Sequence, residues 1–536
     1  MTKQISETAN KFINDYKEAV KIEKTYNQTD EEKIKVHQVS SKIAFLYEKL
    51  RNSVDYQEDH LLRKIAIERI LKRRLMTEKN ELNVAKFLMF ELIRARYLPN
   101  DKIPEKRIED IKEIIEKYTL LINNISETNE DEKNNDTEYL FDWIAGIAAC
   151  EIEEKIAPYK RENAIIEFAQ KTIDRKLKVP EGLMSQEDKR IQIYIAVLRN
   201  LTKSDLSLIQ YRLFERKHPE WFFAPSEEII LNMSKNINFL VNNIEKQINN
   251  SSGENFSRFV KKNLAYFTIL EGVVLKNINN IDKIFSYHLH IEDSIKEACV
   301  KKYKEAKSKL KRAAVRSIIY IFITKMFLAF IVEYPFDKYI IGHINYIALG
   351  INIMFPPLLM FLVVVTIKVP SKKNTELIVQ GIKEMVYGKY TNPPFILKGV
   401  LPKNSFFYKT FKFFYLLIFV GSFGTIIYIL EKLNFNVVSI GLFLFFLSVV
   451  SYFGIRIRQN ARELVVVKRK EGIITFITDL FSIPILRMGQ WLSTKLSNIN
   501  VFVFVLDFII EAPFKTFVEV FEEWIYYIKE ERDKIY

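Results

Sequence analysis

Cysteine is nearly missing from this chain. Cys150 and Cys299 are the two present in 536 residues, so a disulfide framework and a CxxC zinc ligand pair are both excluded. Glycine and proline are scarce, 15 of each, which removes the punctuation a many-turned β fold needs and favours long helices. No HExxH, GxSxG or GxGxxG occurs, and Gly381 and Gly388-Lys389 stand at the wrong spacing for a P-loop, with no Ser or Thr following. No catalytic or nucleotide-binding signature is therefore present, and no cofactor is expected. The densest group of metal-ligand types is Tyr287-His288-Leu289-His290-Ile291-Glu292-Asp293. On a helix His288 and His290 point in different directions, so the group reads as a solvated turn rather than a metal site. The amino-terminal stretch has no apolar h-region and no small-residue cleavage site, so no secretory signal is read there.

Long apolar runs, by contrast, are plentiful after residue 316. A basic run, KKYKEAKSKLKRAAVR (301–316), leads straight into SIIYIFITKMFLAFIV (317–332). A second run, 344–367, holds twenty-four residues without a charge, and ~20 suffice to cross a bilayer. Two more follow at 413–430 and 437–455. The sequence thus predicts four transmembrane helices, about 317–334, 344–367, 413–430 and 437–455. The mean hydropathy of −0.04 averages this half with a charged, helix-patterned first half.

The net charge of +14 is concentrated beside those runs. Segments 301–316 and 368–412 each carry seven net positive charges and 456–471 carries four, so the rest of the chain is net negative. The short connections 333–343 and 431–436 have almost none. That alternation follows the positive-inside rule at every crossing and places both termini in the cytoplasm, with the cell membrane as the expected location. Nucleic-acid binding would need a basic face on a folded domain, and the excess charge is not in the first 300 residues.

Those residues repeat apolar positions three and four apart, as in Val36, Val39, Ile43, Leu46 and Leu50. Asp55 and Glu58 have the spacing of a capping box ahead of a helix near 56–76. A polar, acidic stretch at 123–136 reads as a linker. The chain accordingly divides into a helical subdomain 1–122, that linker, a second helical subdomain 137–285, a basic stalk helix 286–316, a four-helix region 317–470 with the basic loop 368–412, and an amphipathic tail 471–536. Within the tail, 473–486 and 499–510 are apolar but interrupted by Asp479, Pro484 and Asp507, and read as interfacial, re-entrant or buried helices. Residues 514–528 form an amphipathic helix whose acidic face suits the basic 368–412 loop. The fold class is all-α: a helical cytoplasmic region joined by a stalk helix to a four-helix transmembrane region.

Three features carry candidate chemistry. Lys325 lies near the middle of the first apolar run, where a lysine costs ~2.5–3.5 kcal/mol on insertion scales and normally has a partner or snorkels. Pro356-Pro357 predicts a kink in the second, because proline removes a donor and crowds the preceding turn. Glu151, Glu153 and Glu154 form a carboxylate cluster that reads as a solvated helix face. The function expected is a multi-pass membrane protein, a scaffold or adaptor presenting its helical region to an unidentified cytoplasmic protein. The alternative is a transporter or channel subunit using Lys325 and the Pro356-Pro357 kink. Expected partners are the lipid bilayer and a second copy through the transmembrane helices, with no nucleic acid.

Overall fold

The computed structural model describes residues 5–25, 32–54, 60–78, 80–128, 134–286, 288–366, 370–390, 393–397, 406–467, 472–498 and 511–535. The Asp55/Glu58 capping box and the apolar stretch 499–510 lie outside them. Among the described residues the fold is all-α, with one two-residue parallel strand pair, β1 (Leu177–Lys178) on β2 (Phe395–Ile396). The chain divides into two compact units.

The helical unit comprises Glu7–Val260, Pro393–Lys398 and Val501–Tyr536. It opens with α1 (Glu7–Thr25), α2 (Gln38–Val54), α3 (Leu62–Thr77), α4 (Glu81–Arg94) and α5 (Lys106–Thr128). It continues with α6 (Asn134–Ile156), α7 (Lys160–Lys176), α8 (Gln186–Asn200), α9 (Leu206–Lys217) and α10 (Glu227–Ile248). The starts are set by side-chain caps: Asn80, Ser185, Asp205 and Ser226 each accept from a backbone N–H in the first turn that follows. α6 is the central helix. Its residues from Trp143 to Cys150 are all buried, and it packs on α3, α5 and α9. Gly146 permits the α9 contact, since a Cβ there would stand 2.9 Å from Ser207 Oγ.

α11 (Gly253–Lys276) runs from the helical unit into the membrane unit, which comprises Met1–Ser6, Lys261–Asn392 and Gly399–Asn500. After α12 (Ile281–Ser286) comes α13 (His288–Leu328), 41 residues in which the basic run continues without a break into the apolar one. Sequence reading takes 333–343 as a loop. Instead the helix is prolonged through a π turn (Ala329–Glu333), the short α14 (Tyr334–Phe336) and a second π turn (Asp337–Ile341), ending where Gly342 takes a left-handed φ of 84°. Next come α15 (Tyr346–Val365), α16 (Lys372–Tyr387), α17 (Phe406–Lys432), α18 (Val437–Arg462) and α19 (Ile473–Asn498). Four helices are long and apolar enough to cross a membrane: His290–Ile341, Tyr346–Val365, Lys409–Lys432 and Val437–Gln459. α13, α15 and α18 pack on one another, α19 lies on α18, and the main neighbour of α17 is α19.

Two segments are more ordered than their charge suggests. The first half of the basic 368–412 stretch is α16, which packs on α13 through a buried face of Ile378, Ile382 and Met385, with Asn374 at its start. Those positions recur at i+4 and i+3, the signature of an amphipathic helix. The carboxy-terminal helix, α20 (Glu511–Ile535), belongs to the helical unit and packs on α2, where Phe514 stacks on Tyr47 with ring centroids 4.7 Å apart. Its described partner is thus an apolar surface of the same unit.

Candidate functional site

On a straight α-helix, residues eight apart point ~80° away from each other and lie ~12 Å apart along the axis. Lys325 and Glu333 stand at that spacing, yet Lys325 Nζ is 2.5 Å from Glu333 Oε1 and both side chains are fully buried. The π turn at Ala329–Glu333 supplies the difference. Its i→i+5 bonds take up an extra residue per turn, which brings Glu333 back towards the Lys325 side. Helix α15 completes the group from across the bundle. Asn352 Nδ2 donates to Glu333 Oε2 at 2.7 Å and to the Ser439 carbonyl of α18 at 3.2 Å. The Ser439 hydroxyl is 3.5 Å from the same carboxylate oxygen. Phe446, also on α18, presents its ring 4.9 Å from the Lys325 ammonium, a cation–π contact. Asn352 Oδ1 has no hydrogen-bond partner among the described residues.

Pro356 and Pro357 are buried inside α15, which runs through them from Tyr346 to Val365. Proline at 356 cannot donate to the carbonyl of residue 352, so the residue holding Glu333 by its side chain also has a main-chain oxygen released from the helix ladder. Around this group the apolar core falls into two clusters. One holds Ala348, Leu430, Phe435, Phe443 and Leu447; the other holds Ile321, Met360, Phe446 and Val450. The arrangement is an ion pair hydrogen-bonded across three helices in an apolar setting. It can hold the helices in register, and it places an ionisable pair where a charge is costly.

The α6 carboxylates are not a solvated face. Glu153 is buried and forked by Arg63 of α3 at 2.6–3.0 Å. Glu154 accepts from Tyr211 and Arg212 of α9 at 2.8 and 3.1 Å. Glu151 pairs with Lys117 of α5 at 2.5 Å and accepts from the Tyr118 hydroxyl at 2.7 Å. Burial raises the Glu151 carboxyl and lowers the Lys117 ammonium, each outweighing the pairing that opposes it. Three carboxylates within about one turn thus tie α6 to three neighbours, each with its own cation. The sequence signal was there: α6 is apolar around nearly its whole circumference, so its charges had no solvent face to occupy.

His290 is exposed, and the His288 side chain lies outside the described residues. Among the described residues no three His, Cys, Asp or Glu side chains converge as metal ligands. Sequence names Glu333 as the nearest candidate carboxylate partner for Lys325 and Ser439 as a small residue suited to helix packing, but it misses Asn352, whose signal is a lone amide well inside an otherwise apolar run. Fold and site together define a helical membrane protein. No family model, curated protein or solved structure matches the chain.

Proposed function

We propose that this is a multi-pass membrane protein with both termini in the cytoplasm, acting as a scaffold or adaptor that offers its helical unit to a protein partner. The observation that supports this reading most is the unbroken α13, which carries the basic run directly into the first apolar segment. Asn374 stiffens its base. Its amide donates to the Tyr303 hydroxyl of α13 and to the Leu464 carbonyl, and its carbonyl accepts from Val466 N and Val467 N. A stalk clamped in this way suits a fixed platform better than a mobile gate. On the helical unit, α10 leaves Leu231 and Phe239 exposed, 45% and 71%, and these are natural contacts for a partner. The test is proximity labelling from a biotin ligase at the amino terminus of the full chain. A defined set of neighbours that is lost in Leu231→Glu/Phe239→Glu supports the reading; a labelled set identical for both chains refutes it.

The buried Lys325–Glu333 pair favours a second reading, a transporter or channel subunit in which that pair and the Pro356-Pro357 segment respond to a solute or proton. Proteoliposomes holding the purified protein would then pass ions or protons above the background of empty vesicles, and Lys325→Met would abolish that flux.

A further inference from the structure

A polar pocket of about 280 Å³ opens where the α14–α15 and α17–α18 connections meet, lined by Asp337, His343, Asn345, Glu431, Phe435 and Asn436 among others. It is a little below the ~300–1,000 Å³ of pockets for drug-sized ligands, so its occupant is small. The asparagines are already committed. Asn345 Oδ1 caps α15 through Ile347 N and Ala348 N, and its Nδ2 donates to the Asn434 carbonyl. Asn436 Oδ1 caps α18 through Ser439 N, and its Nδ2 donates to Asp337 Oδ1 at 2.5 Å. What remains to meet a ligand is two carboxylates, the His343 imidazole and an aromatic edge.

Asp337 carries the argument. It is only 4% exposed, yet it lines the pocket. Two amides donate to it, the Asn436 side chain and the Asn345 main chain. Among the described residues no lysine or arginine pairs with it. The adjacent Lys338 ammonium lies over the Tyr334 and Tyr339 rings at 5.9 and 5.5 Å, and that of Lys432 over Tyr428 at 5.4 Å. The ionisable base that faces Asp337 is the His343 imidazole of the same pocket. A buried carboxylate with no lysine or arginine beside it is costly, and a bound cation makes good the deficit. Three acidic or imidazole donors do not converge here as a metal site requires. We propose that the pocket binds a small organic cation bearing a primary amine, with Asp337 as its counter-ion, Phe435 against its charge and Glu431 at the rim for a second amine. The site is linked to the intramembrane pair: Asn436 caps Ser439, and Ser439 meets Asn352 and Glu333.

The test uses the full chain in nanodiscs with methylammonium, putrescine and sodium chloride at matched ionic strength, read by thermal midpoint and by hydrogen exchange over 434–443. Putrescine should raise the midpoint and slow exchange there, methylammonium should do so more weakly, and sodium should not. Glu431→Gln, at the rim where folding is not at stake, should weaken putrescine about tenfold, as expected for loss of a hydrogen bond to a charged group, and leave methylammonium unchanged. Asp337→Asn keeps the shape and an acceptor oxygen for the Asn436 amide and should abolish both responses. Equal effects of sodium and the amines, no response to any amine, or a Glu431→Gln chain that binds putrescine like the parent would each overturn the proposal.

Discussion

Asn352 holds Glu333 in place, and Glu333 holds Lys325, so the three residues fail together. Removing one partner of a buried pair strands the other charge, which costs about 3–5 kcal/mol. Lys325→Met and Glu333→Leu should each lower the unfolding free energy in detergent or nanodiscs by about that amount. The double variant should recover most of the loss, and additive losses would show that the two do not act as a pair. The helical unit offers a pH test. Burial alone would raise the Glu68 carboxyl, but the ammonium groups of Lys64 and Lys72, at 3.0 and 3.1 Å, outweigh it and hold the group below its ordinary 4.5. A depressed carboxyl stabilises the fold above its unfolded value, and that contribution disappears as the pH falls from there through the folded value. Glu68→Gln should therefore flatten the acid limb of the stability curve below pH 4.5, measured as urea midpoints against pH. An unchanged slope would mean that Glu68 titrates as in the unfolded chain. At this scale the sequence is partly legible. Lys325 stands out as the one charge in its apolar run and Glu333 as its nearest carboxylate, but spacing alone does not pair them, because i+8 matches no face of an α-helix until a π turn intervenes. The α6 carboxylates misled for a different reason: charge was read as exposure, and the cations that neutralise them come from α3, α5 and α9, distant in sequence.

Among the elements, helices and their periods were the most legible. Apolar spacing and the breaks at Pro158, Pro180 and Pro219 predict helices at 160–177, 186–200 and 227–248, where α7, α8 and α10 lie, and the stalk runs into the first apolar segment as the sequence implies. Lost to sequence reading were elements whose order comes from long-range contacts. α16 sits in a stretch dominated by its lysines, and its four-residue spacing of Asn374, Ile378 and Ile382 becomes significant only against α13. Asn374 there replaces bonds that the chain after α18 cannot make for itself. Asn374→Leu should leave the half-buried Val466 and Val467 amides without their acceptor, each costing less than the about 1–3 kcal/mol of a fully buried unpaired group. Hydrogen exchange at those two amides should accelerate accordingly, and protection equal to the parent chain would dismiss the clamp. α19 shows the opposite dependence, on the absence of a side chain. At Gly489 a Cβ would collide with the main-chain carbonyl of Ser448, so α19 and α18 meet backbone to backbone. Gly489→Ala should force the two helices apart at about 1–3 kcal/mol, the usual cost of overpacking, seen as a lowered thermal midpoint.

For the whole molecule, the charge asymmetry is the quantity that sets orientation. Basic flanks at 301–316, 368–412 and 456–471 alternate with connections that carry almost no positive charge, and each flank is short enough for the positive-inside bias to act. The same alternation decides which compartment reaches the amine pocket, since Asp337, Asn345 and Glu431 belong to the weakly charged ends. Native thiols do not confuse a labelling experiment, because Cys150 and Cys299 are both buried. Single cysteines at Tyr339, which is 76% exposed, and at the exposed Asn434 should react with a membrane-impermeant maleimide added to sealed cells. Cysteines at the exposed Lys309 and Lys372 should react only after permeabilisation. The complementary pattern, 309 and 372 labelled from outside, would invert the molecule and move the helical unit out of the cytoplasm. Opposite results at 309 and 372 would mean that the segment between them crosses an odd number of times. Either outcome would remove the scaffold reading at its base, because a cytoplasmic partner needs residues 7–260 and the basic flanks in one compartment.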